Sequence, residues 1–353
     1  MRIGVIGAGA ISPLYLRYLT RRDDVTVAAI ADLNLERAAS RAREFSLSAG
    51  LTPAALLARG DIDLVLNLTT PAAHAAVSAA ALHAGKHVYS EKPLAISPTD
   101  GARLVSQAAA AGRHLACAPD TILGSGIQTA IQALDAGVIG RPVGVTLAFL
   151  NHGHEHWHPD PAFYYQPGGG PVLDMGPYYV TALVSLLGPV TRVVSLAAQT
   201  FARRIVTSPA RAGEEIVVGV PTHVVGLLET AAKVPVQVTM SFDVWHHTLP
   251  HLEIYGTEGT LEVPDPNTFG GPVRVRRADE AAARELPLRP DLPQEQARGV
   301  GVVDLVHAVR EGRPGRLDGV LGAHVLDVLA ALARGGDTVI TSTVSRPLPV
   351  GTS

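Results

Sequence analysis

The stretch that decides the fold is residues 1–12, which read MRIGVIGAGAIS. Residues 2–7 form a short, β-branched apolar run typical of a buried strand, and helical spacing follows over residues 12–21. The turn between them has the pattern G-x-G-x-x-G, with serine in the third place. Its first glycine permits a tight turn, its second lets the backbone approach a ligand, and the following helix N-terminus attracts an anion. The residues expected to bind a pyrophosphate here are Gly7, Ala8, Gly9, Ala10 and Ile11.

Asp32 lies 20 residues beyond Ser12, at the end of the second apolar run. A carboxylate at this position can accept hydrogen bonds from both hydroxyls of an adenosine ribose. It would also repel a 2′-phosphate, and Leu33 and Asn34 follow it rather than an arginine that binds such a phosphate. We therefore expect NAD in preference to NADP. The alternative is that Asp32 is a solvated turn residue or a helix cap.

The first third of the chain alternates strand and helix signals. Continuous apolar strands between helices predict a parallel, doubly wound sheet with both faces covered. After about residue 140 the runs become long, β-branched and mostly alternating, which favours an open, mainly antiparallel sheet. The predicted fold class is an α/β Rossmann domain over residues 1–121, followed by an α+β domain over residues 122–353 with an open sheet.

Composition excludes several classes of protein. The 353 residues contain 29 Lys+Arg and 32 Asp+Glu, so no basic footprint for a nucleic acid is present. The single cysteine, Cys117, excludes an intramolecular disulfide framework and a cysteine-based metal cluster. The chain contains no run of about 18 apolar residues, so no membrane span is predicted. We expect a cytoplasmic protein that binds neither nucleic acid nor membrane.

Two further segments contain candidate reactive groups. Glu91-Lys92-Pro93 follows a buried strand, which puts Lys92 at the carboxyl edge of the sheet, where such folds bind ligands. Farther along, residues 168–179 read GGGPVLDMGPYY and lead into an apolar helix that ends near Gly188. Asp174 and Tyr178 are four residues apart, so we expect them to share one face of its first turn. Taken alone, a lysine after a strand is usually solvated, and an aspartate at a helix start is usually a cap.

In these segments the chain resembles the glucose–fructose oxidoreductase/inositol dehydrogenase family (Gfo/Idh/MocA). The resemblance spans nearly the whole chain. The order of the matching segments along the chain is more specific to the family than any one segment alone. The matching segments are the glycine turn, Asn67-Leu68-Thr69-Thr70-Pro71 with His74, the Ala84–Val88 lead-in to Glu91-Lys92-Pro93, Gly137-Val138-Ile139-Gly140, the glycine-rich segment ending at Asp174, and Ile254-Tyr255-Gly256-Thr257-Glu258-Gly259-Thr260.

The resemblance implies an oxidoreductase with a Rossmann domain, an open-faced sheet domain often used for oligomerisation, a nicotinamide cofactor and a sugar-like substrate. By the same resemblance, further cofactor contacts are expected from Thr69, Thr70, Pro71, His74, Glu91 and Lys92. A homodimer or homotetramer formed through the open sheet would cover its exposed face.

The identity of the acid/base is open because this chain departs from the family at one position. The family places a lysine, an aspartate and a histidine at the reaction centre, and Lys92 and Asp174 match the first two. Tyr178 stands where the histidine is expected, and a tyrosine with an ordinary pKa near 10 is a poor base at neutral pH. Either Lys92 lowers the pKa of Tyr178, or Lys92 moves the proton while Tyr178 orients the sugar. We favour Lys92 acting with Asp174.

Residues 151–160, NHGHEHWHPD, contain four histidines at alternate positions. In an extended chain these side chains would point the same way. A zinc site is awkward because four such side chains on one strand are too widely spaced, so no metal is expected. The family resemblance implies that this segment borders the substrate pocket, with His156 and His158 bonding to hydroxyls and Trp157 or Tyr164 stacking on a sugar. His158 is the candidate substitute acid/base. The alternative is that these histidines are merely structural or exposed.

The leading functional hypothesis is an NAD(P)-dependent dehydrogenase acting on a secondary hydroxyl of a sugar, glycoside or cyclitol. A second reading is a glycosidase-type enzyme that keeps NAD tightly bound and recycles it. A third is a non-catalytic, ligand-sensing member of the family, because a fold does not guarantee chemistry. Release of NAD on denaturation would distinguish the recycling enzyme from the sensor.

Overall fold

A computed structural model describes residues 1–351 and divides the chain into two compact units. The first unit contains residues 1–123 and 295–323, and the second contains residues 124–294 and those from 324 onward. The structure therefore groups residues 295–323 with the first unit, although they lie far along the chain. The predicted boundary after residue 121 takes no account of this return.

The first unit has a six-stranded, entirely parallel sheet, as predicted. Its strands are β1 (Arg2–Ile6), β2 (Thr26–Ala31), β3 (Gly50–Leu51), β4 (Leu64–Asn67), β5 (His87–Ser90) and β6 (Leu115–Cys117). Their order is β3-β2-β1-β4-β5-β6. The order reverses between β1 and β4, and folds of this kind bind their ligands at the carboxyl ends of the strands at such a reversal.

The helices of the first unit cover both faces of this sheet. They are α1 (Ser12–Leu19), α2 (Leu35–Glu44), α3 (Pro53–Leu57), α4 (Pro71–His83), α5 (Pro98–Ala110) and α9 (Val300–Glu311). One buried core includes Leu16 of α1 and Val302 of α9, and a second includes Leu82 of α4 and Leu104 of α5. Helices packed on both faces explain why the strands are continuously apolar.

The second unit has a nine-stranded sheet with one parallel pair, β7 with β12, among antiparallel neighbours. Its strands are β7 (Pro142–Leu150), β8 (Val190–Ala198), β11 (His223–Thr230), β12 (Pro235–Ser241), β13 (Leu252–Gly256), β14 (Gly259–Val263), β15 (Val273–Arg277), β16 (Arg284–Leu286) and β17 (Gly336–Val339). A separate hairpin pairs β9 (Arg203–Ile205) with β10 (Glu215–Val217). The predicted open, mainly antiparallel sheet is confirmed.

Helices cover one face of this large sheet and leave apolar side chains on the other. The helices are α6 (Ser125–Asp135), α7 (Gly170–Asp174), α8 (Gly176–Leu187) and α10 (Gly319–Arg334), and the boundary between the units falls within α10. On β11 the buried Val224 and Leu228 alternate with the exposed Val225 and Leu227, and Leu196 of β8 is 81% exposed. Oligomerisation through this exposed face stays a prediction. None of the helices within residues 1–351 is long and apolar enough to cross a membrane.

Candidate active site

The glycine turn has the backbone geometry that a pyrophosphate site needs. Gly7 has φ +111°, and a Cβ atom there would lie 2.4 Å from the carbonyl oxygen of Leu68, so only glycine fits. A Cβ on Gly9 would meet nothing within 4 Å, which leaves open space beside the backbone. Helix α1 begins after Ile11 without a capping side chain, so its first N–H groups are not satisfied by one. These features fit a bound diphosphate.

Asp32 is positioned by the glycine turn and does not cap helix α2. Its Oδ2 accepts the Ala8 N–H at 2.9 Å, and its Oδ1 accepts the Asn34 N–H at 2.8 Å. The residue that caps α2 is Asn34, whose side chain accepts from the backbone of Arg37. Each oxygen of the Asp32 carboxylate retains a second lone pair, which a ribose hydroxyl can use.

The sequence does not point to Arg37, because this residue lies five positions beyond Asp32. The Arg37 Nη1 atom lies 3.9 Å from Asp32 Oδ2, and the arginine side chain is 55% exposed. One turn of α2 brings this guanidinium back towards the carboxylate. A cation therefore stands beside the position where a 2′-phosphate would be bound.

His74 joins the loops that follow β4 and β5. Its Nδ1 lies 2.6 Å from the carbonyl oxygen of Pro93, and its Nε2 lies 3.0 Å from that of Thr69. Burial lowers the pKa of this imidazole, although the two carbonyl contacts oppose the shift. His74 therefore acts as a buried tie between two loops at the carboxyl edge of the sheet.

Glu91 is also buried, and its carboxylate fixes the start of the segment that contains Lys92. The Glu91 Oε1 atom accepts from the Tyr15 hydroxyl of α1 at 2.7 Å, and Oε2 accepts the Lys92 N–H at 2.9 Å. Lys92 itself is half-buried two residues after β5. Thr69 donates its hydroxyl to Asn67 at 2.7 Å, Thr70 precedes α4, and Pro71 begins it. The predicted cofactor residues of this unit thus lie on the loops after β1, β2, β4 and β5, except Pro71 and His74, which lie in the first turn of α4.

In the second unit, Asp174 and Tyr178 belong to different helices, which corrects the prediction of one shared first turn. Helix α7 ends at Asp174, and α8 begins at Gly176 after the single linking residue Met175. Pro177 stands in the first turn of α8, a position that proline tolerates at a helix start. Tyr178 is 6% exposed, so its ring is packed rather than presented to solvent.

Asp174 contacts a histidine that the sequence analysis did not select. The Nε2 atom of His154 lies 3.2 Å from Asp174 Oδ2, and the two side chains are only 7% and 15% exposed. Nδ1 of His154 is buried without a hydrogen-bond partner among the described residues. With a proton on Nε2, the ring donates to the carboxylate and leaves Nδ1 as an acceptor. An imidazole therefore meets Asp174 although Tyr178 occupies the motif's histidine position.

The segment that contains His154 is a series of turns rather than an extended strand. Asn151 accepts the Gly153 N–H at 2.9 Å, and Gly153 has φ +87°, which turns the chain immediately after β7. The His158 N–H then bonds to the His154 carbonyl oxygen at 3.0 Å. An extended chain would place the four histidines on one side. Because the chain turns here, they do not share one side.

Aromatic rings surround His154. Its ring centroid lies 4.0 Å from that of Tyr164 and 5.3 Å from that of Trp157. Trp157 is 54% exposed, which leaves part of its surface open to a ligand. His158 accepts the Asp160 N–H through Nδ1 at 3.0 Å, and burial lowers its pKa. His156 is exposed.

A buried ionic cluster holds this segment in place, and sequence reasoning missed it as well. Arg204 of β9 donates from Nη1 to Glu155 Oε1 at 2.6 Å and from Nη2 to Asp243. The other oxygen of Glu155 accepts from the Tyr165 hydroxyl. Burial would raise the pKa of Glu155, but the bonds from Tyr165 and Arg204 outweigh it, and the pKa is lowered. The segment beside Asp174 is therefore anchored by charge as well as by packing.

No cluster of three or more histidine, cysteine or acidic side chains in residues 1–351 is arranged to hold a metal ion. Cys117 is buried on β6, and burial raises the pKa of its thiol. The chemistry available at the described sites is therefore that of Lys92 in the first unit, and of the Asp174–His154 pair with Tyr178 in the second.

Two family models match the chain. Residues 1–118 match the model described as an oxidoreductase family with an NAD-binding Rossmann fold. Residues 127–262 match the GFO/IDH/MocA C-terminal domain. The two matches correspond to the parallel sheet with its glycine turn and to most of the open sheet with the His154–Asp174 pair.

Curated relatives are named as sugar reductases and inositol dehydrogenases. The dTDP-3,4-didehydro-2,6-dideoxy-alpha-D-glucose 3-reductase of Streptomyces antibioticus is 30% identical over 346 residues, which cover 95% of this chain and 97% of the relative. The inositol 2-dehydrogenase of Pseudomonas syringae pv. syringae is 33% identical over 158 residues, 43% of this chain and 46% of the relative.

Solved structures share the fold at lower identity. An NAD binding oxidoreductase from Klebsiella pneumoniae superposes with a TM-score of 0.84 at 21% identity and covers 97% of this chain and 99% of its own. Levoglucosan dehydrogenase in complex with NADH has a TM-score of 0.82 at 20% identity, with coverages of 98% and 100%. A 3-ketoreductase from Actinomadura kijaniata in complex with TDP-benzene and NADP has a TM-score of 0.74 at 24% identity, with coverages of 95% and 97%.

Proposed function

Because this chain belongs to the GFO/IDH/MocA family of NAD(P)-binding oxidoreductases, we propose that it transfers a hydride between a nicotinamide and a secondary hydroxyl of a sugar, glycoside or cyclitol. The observation that carries the proposal is the buried Asp174–His154 pair, a carboxylate and an imidazole 3.2 Å apart in the sheet domain. It accompanies an intact phosphate turn and Lys92 in the Rossmann domain. The names of the relatives support sugars and cyclitols as the substrate class.

The cofactor would be held by the residues of the first unit. The pyrophosphate would contact the backbone from Gly7 to Ile11, the adenosine ribose would bond to Asp32, and the loops at 69–71 and 91–92 would flank the remainder. The bound nicotinamide supplies the acceptor or donor of the hydride. We propose NAD as the preferred form because the Asp32 carboxylate opposes a 2′-phosphate, although Arg37 beside it would favour one.

During oxidation the substrate hydroxyl loses its proton to a base while the hydrogen on the same carbon leaves with its electron pair as a hydride, which gives a ketone. Reduction is the reverse. We assign the proton transfer to Lys92 acting with Asp174, and the orientation of the sugar to Tyr178. His154 is a positioning residue, which donates from Nε2 to Asp174 and keeps that carboxylate in one orientation. That contact assigns the positioning role to His154, whereas His158, the candidate substitute acid/base, uses its Nδ1 to accept the Asp160 N–H.

The lysine content of the chain supports a chemical role for Lys92. Among 29 basic residues only three are lysines, Lys86, Lys92 and Lys233. Arginine stays protonated under all ordinary conditions, whereas a lysine can give up its proton and act as a base. At a position where only charge mattered, this chain would be expected to use arginine, as it does almost everywhere else.

The test is substitution of Lys92, with Lys233 as the matched control. Lys233 is exposed and pairs with Glu229 on the surface. Lys92→Ala is expected to lower kcat by about 10²–10⁴-fold, the usual contribution of a proton-transfer group, while the dissociation constant for NADH changes little. Lys233→Ala should leave both unchanged. A fully active Lys92→Ala variant would remove Lys92 from the reaction.

The assay should run in both directions, because the relative that spans nearly the whole chain is named a reductase. A panel of sugars and cyclitols would be scored by NADH formation, and a panel of ketosugars by NADH or NADPH consumption. Denaturing the purified protein and measuring released NAD distinguishes the recycling, glycosidase-type alternative, which would turn over without added cofactor.

A further inference from the structure

A cleft of about 670 Å³ lies in the second unit beside the histidine-containing turns. This volume falls in the usual range for small-molecule sites, roughly 300–1,000 Å³. The proposed reaction assigns no role to most of its lining. The lining includes Asn151, His152, Glu155, His156, Thr207 and Trp245.

One wall of the cleft is a stacked aromatic pair. The rings of His152 and Trp245 lie 3.3 Å apart between centroids and are inclined by only 17°. Trp245 nevertheless remains 82% exposed, the second most exposed of the large apolar side chains. A large aromatic ring held against a neighbour, with most of its surface open, offers a flat surface on which a ligand ring can stack.

The residues that line the cleft include no lysine or arginine. Its one carboxylate, on Glu155, is already bonded to Arg204 and Tyr165 and so is compensated. Burial, followed by the charge of Arg204, lowers the pKa of His152, which keeps that ring uncharged at neutral pH. Asn151 uses its side-chain oxygen to bind the Gly153 N–H, which leaves its amide group as a donor. Neutral donors beside an aromatic ring suit a polyhydroxylated ring better than a phosphate or a cation.

The cleft and the Asp174 partner share one short segment of chain. His152 and His156 line the cleft, and His154 between them contacts Asp174. Since consecutive Cα atoms are about 3.8 Å apart, His154 lies within about 8 Å of either neighbour along the chain. The cleft wall and the partner of Asp174 are therefore parts of one five-residue segment, His152 to His156.

We propose that this cleft binds a second, neutral sugar ring, so that the substrate is a glycoside or oligosaccharide rather than a free monosaccharide. This inference rests on the proposed function, since it names the substrate class of the same site. Trp245 would stack on the apolar face of the added ring, and Asn151 and Thr207 would bond to its hydroxyls. Trp245 would determine which substrates bind and would not take part in the hydride transfer.

The two tryptophans of the chain, Trp157 and Trp245, make a direct binding test possible. In a Trp157→Phe variant, Trp245 is the only indole emitter. Titration with a panel of neutral disaccharides and aryl glycosides is expected to give a saturable change in its fluorescence for at least one member, and none for free monosaccharides. No response from any glycoside would overturn the proposal. A response to thymidine diphosphate alone would also overturn it, because the cleft would then take a nucleotide.

Two further measurements separate this proposal from its alternatives. Trp245 should be quenched by acrylamide in the free protein, whereas a shielded Trp245 would mean that a second copy covers the cleft and would overturn the proposal. With the glycoside that binds, Trp245→Ala should raise KM at least tenfold relative to native protein with little change in kcat, and Trp245→Phe should restore most of the affinity. An unchanged KM in Trp245→Ala would contradict the stacking role.

Fluorescence binding needs no turnover, so the two proposals can fail independently. Glycoside binding without any redox activity would leave the cleft assignment in place and reject the proposed function. Turnover of sugars with no response of Trp245 would reject the cleft assignment and leave the proposed function in place.

Discussion

The two units hold their candidate functional groups in different ways. In the first, the phosphate turn is made by backbone groups of consecutive residues, and the Asp32 carboxylate bonds to the backbone of Ala8. In the second, Asp174 is met by His154, whose segment is held by Arg204 from β9 and Asp243 after β12. The phosphate turn is therefore formed by contiguous residues, whereas the site in the second unit is assembled by side chains from separated segments.

The largest expected effect tests whether the assembled site depends on its buried charges. Arg204→Ala would leave Glu155 and Asp243 without their cation, and breaking a buried pair in this way costs about 3–5 kcal/mol. The adjacent Arg203 is 65% exposed and pairs with Glu215 on the surface. Arg203→Ala is expected to cost less than about 1 kcal/mol. Urea unfolding of both variants measures the difference in the free energy of unfolding. Equal losses in the two variants would show that the buried cluster stabilises the fold no more than a surface ion pair does.

The next effect tests the contiguous site through its two glycines. Gly7→Ala would push a Cβ against the Leu68 carbonyl at a left-handed φ, with an expected loss of about 2–5 kcal/mol. Gly9→Ala has open space, so the free energy of unfolding should change by less than about 1 kcal/mol.

The same Gly9→Ala variant should bind NADH at least tenfold more weakly, because its methyl group would occupy the space expected for the pyrophosphate. Thermal unfolding and a fluorescence titration with NADH measure the two quantities separately. Native-like NADH affinity in folded Gly9→Ala would place the cofactor elsewhere.

A smaller effect concerns the choice between NAD and NADP. Asp32→Ser should weaken NADH binding by about tenfold, or about 1.4 kcal/mol, and should narrow the preference for NADH over NADPH. Arg37→Ala should leave NADH binding unchanged and weaken NADPH binding further. Paired titrations of native protein and both variants provide the comparison. Tighter binding of NADPH than NADH by the native chain would assign the dominant role to Arg37 instead of Asp32.

The structural features that could be predicted from the sequence are those where the local backbone or its surroundings require one type of residue. The glycine pattern at residues 7–12, the carboxylate after the second apolar run and the continuous apolar strands predicted the parallel sheet and its turn, and Gly7 has the positive φ that this turn requires. The break between α7 and α8 also had a signal, since Gly176-Pro177 is a typical helix start. The four-residue spacing of Asp174 and Tyr178 instead predicts one continuous helical turn, which the break at Met175 prevents.

The rest depended on tertiary contacts that no local pattern predicts. In β9 the alternation of faces buries Arg204 and exposes Ile205, the reverse of what hydrophobicity alone predicts. Arg204 is buried because its guanidinium forms ion pairs with Glu155 and Asp243. Likewise, four alternating histidines indicate one shared side only if the chain is extended. Gly153 turns that chain, and His154 alone among the four is buried against Asp174.

The measurement that tests the assembled site most directly is a comparison of kcat for His154→Gln and His158→Gln with a turned-over sugar. His154→Gln should lower kcat by about 10–100-fold, while NADH binding and the Tm stay close to those of the native chain, since positioning of Asp174 is lost without loss of the cofactor site. His158→Gln should stay within about threefold of native activity. A severe loss in His158→Gln together with an active His154→Gln would contradict the assignment of His154 as the partner of Asp174.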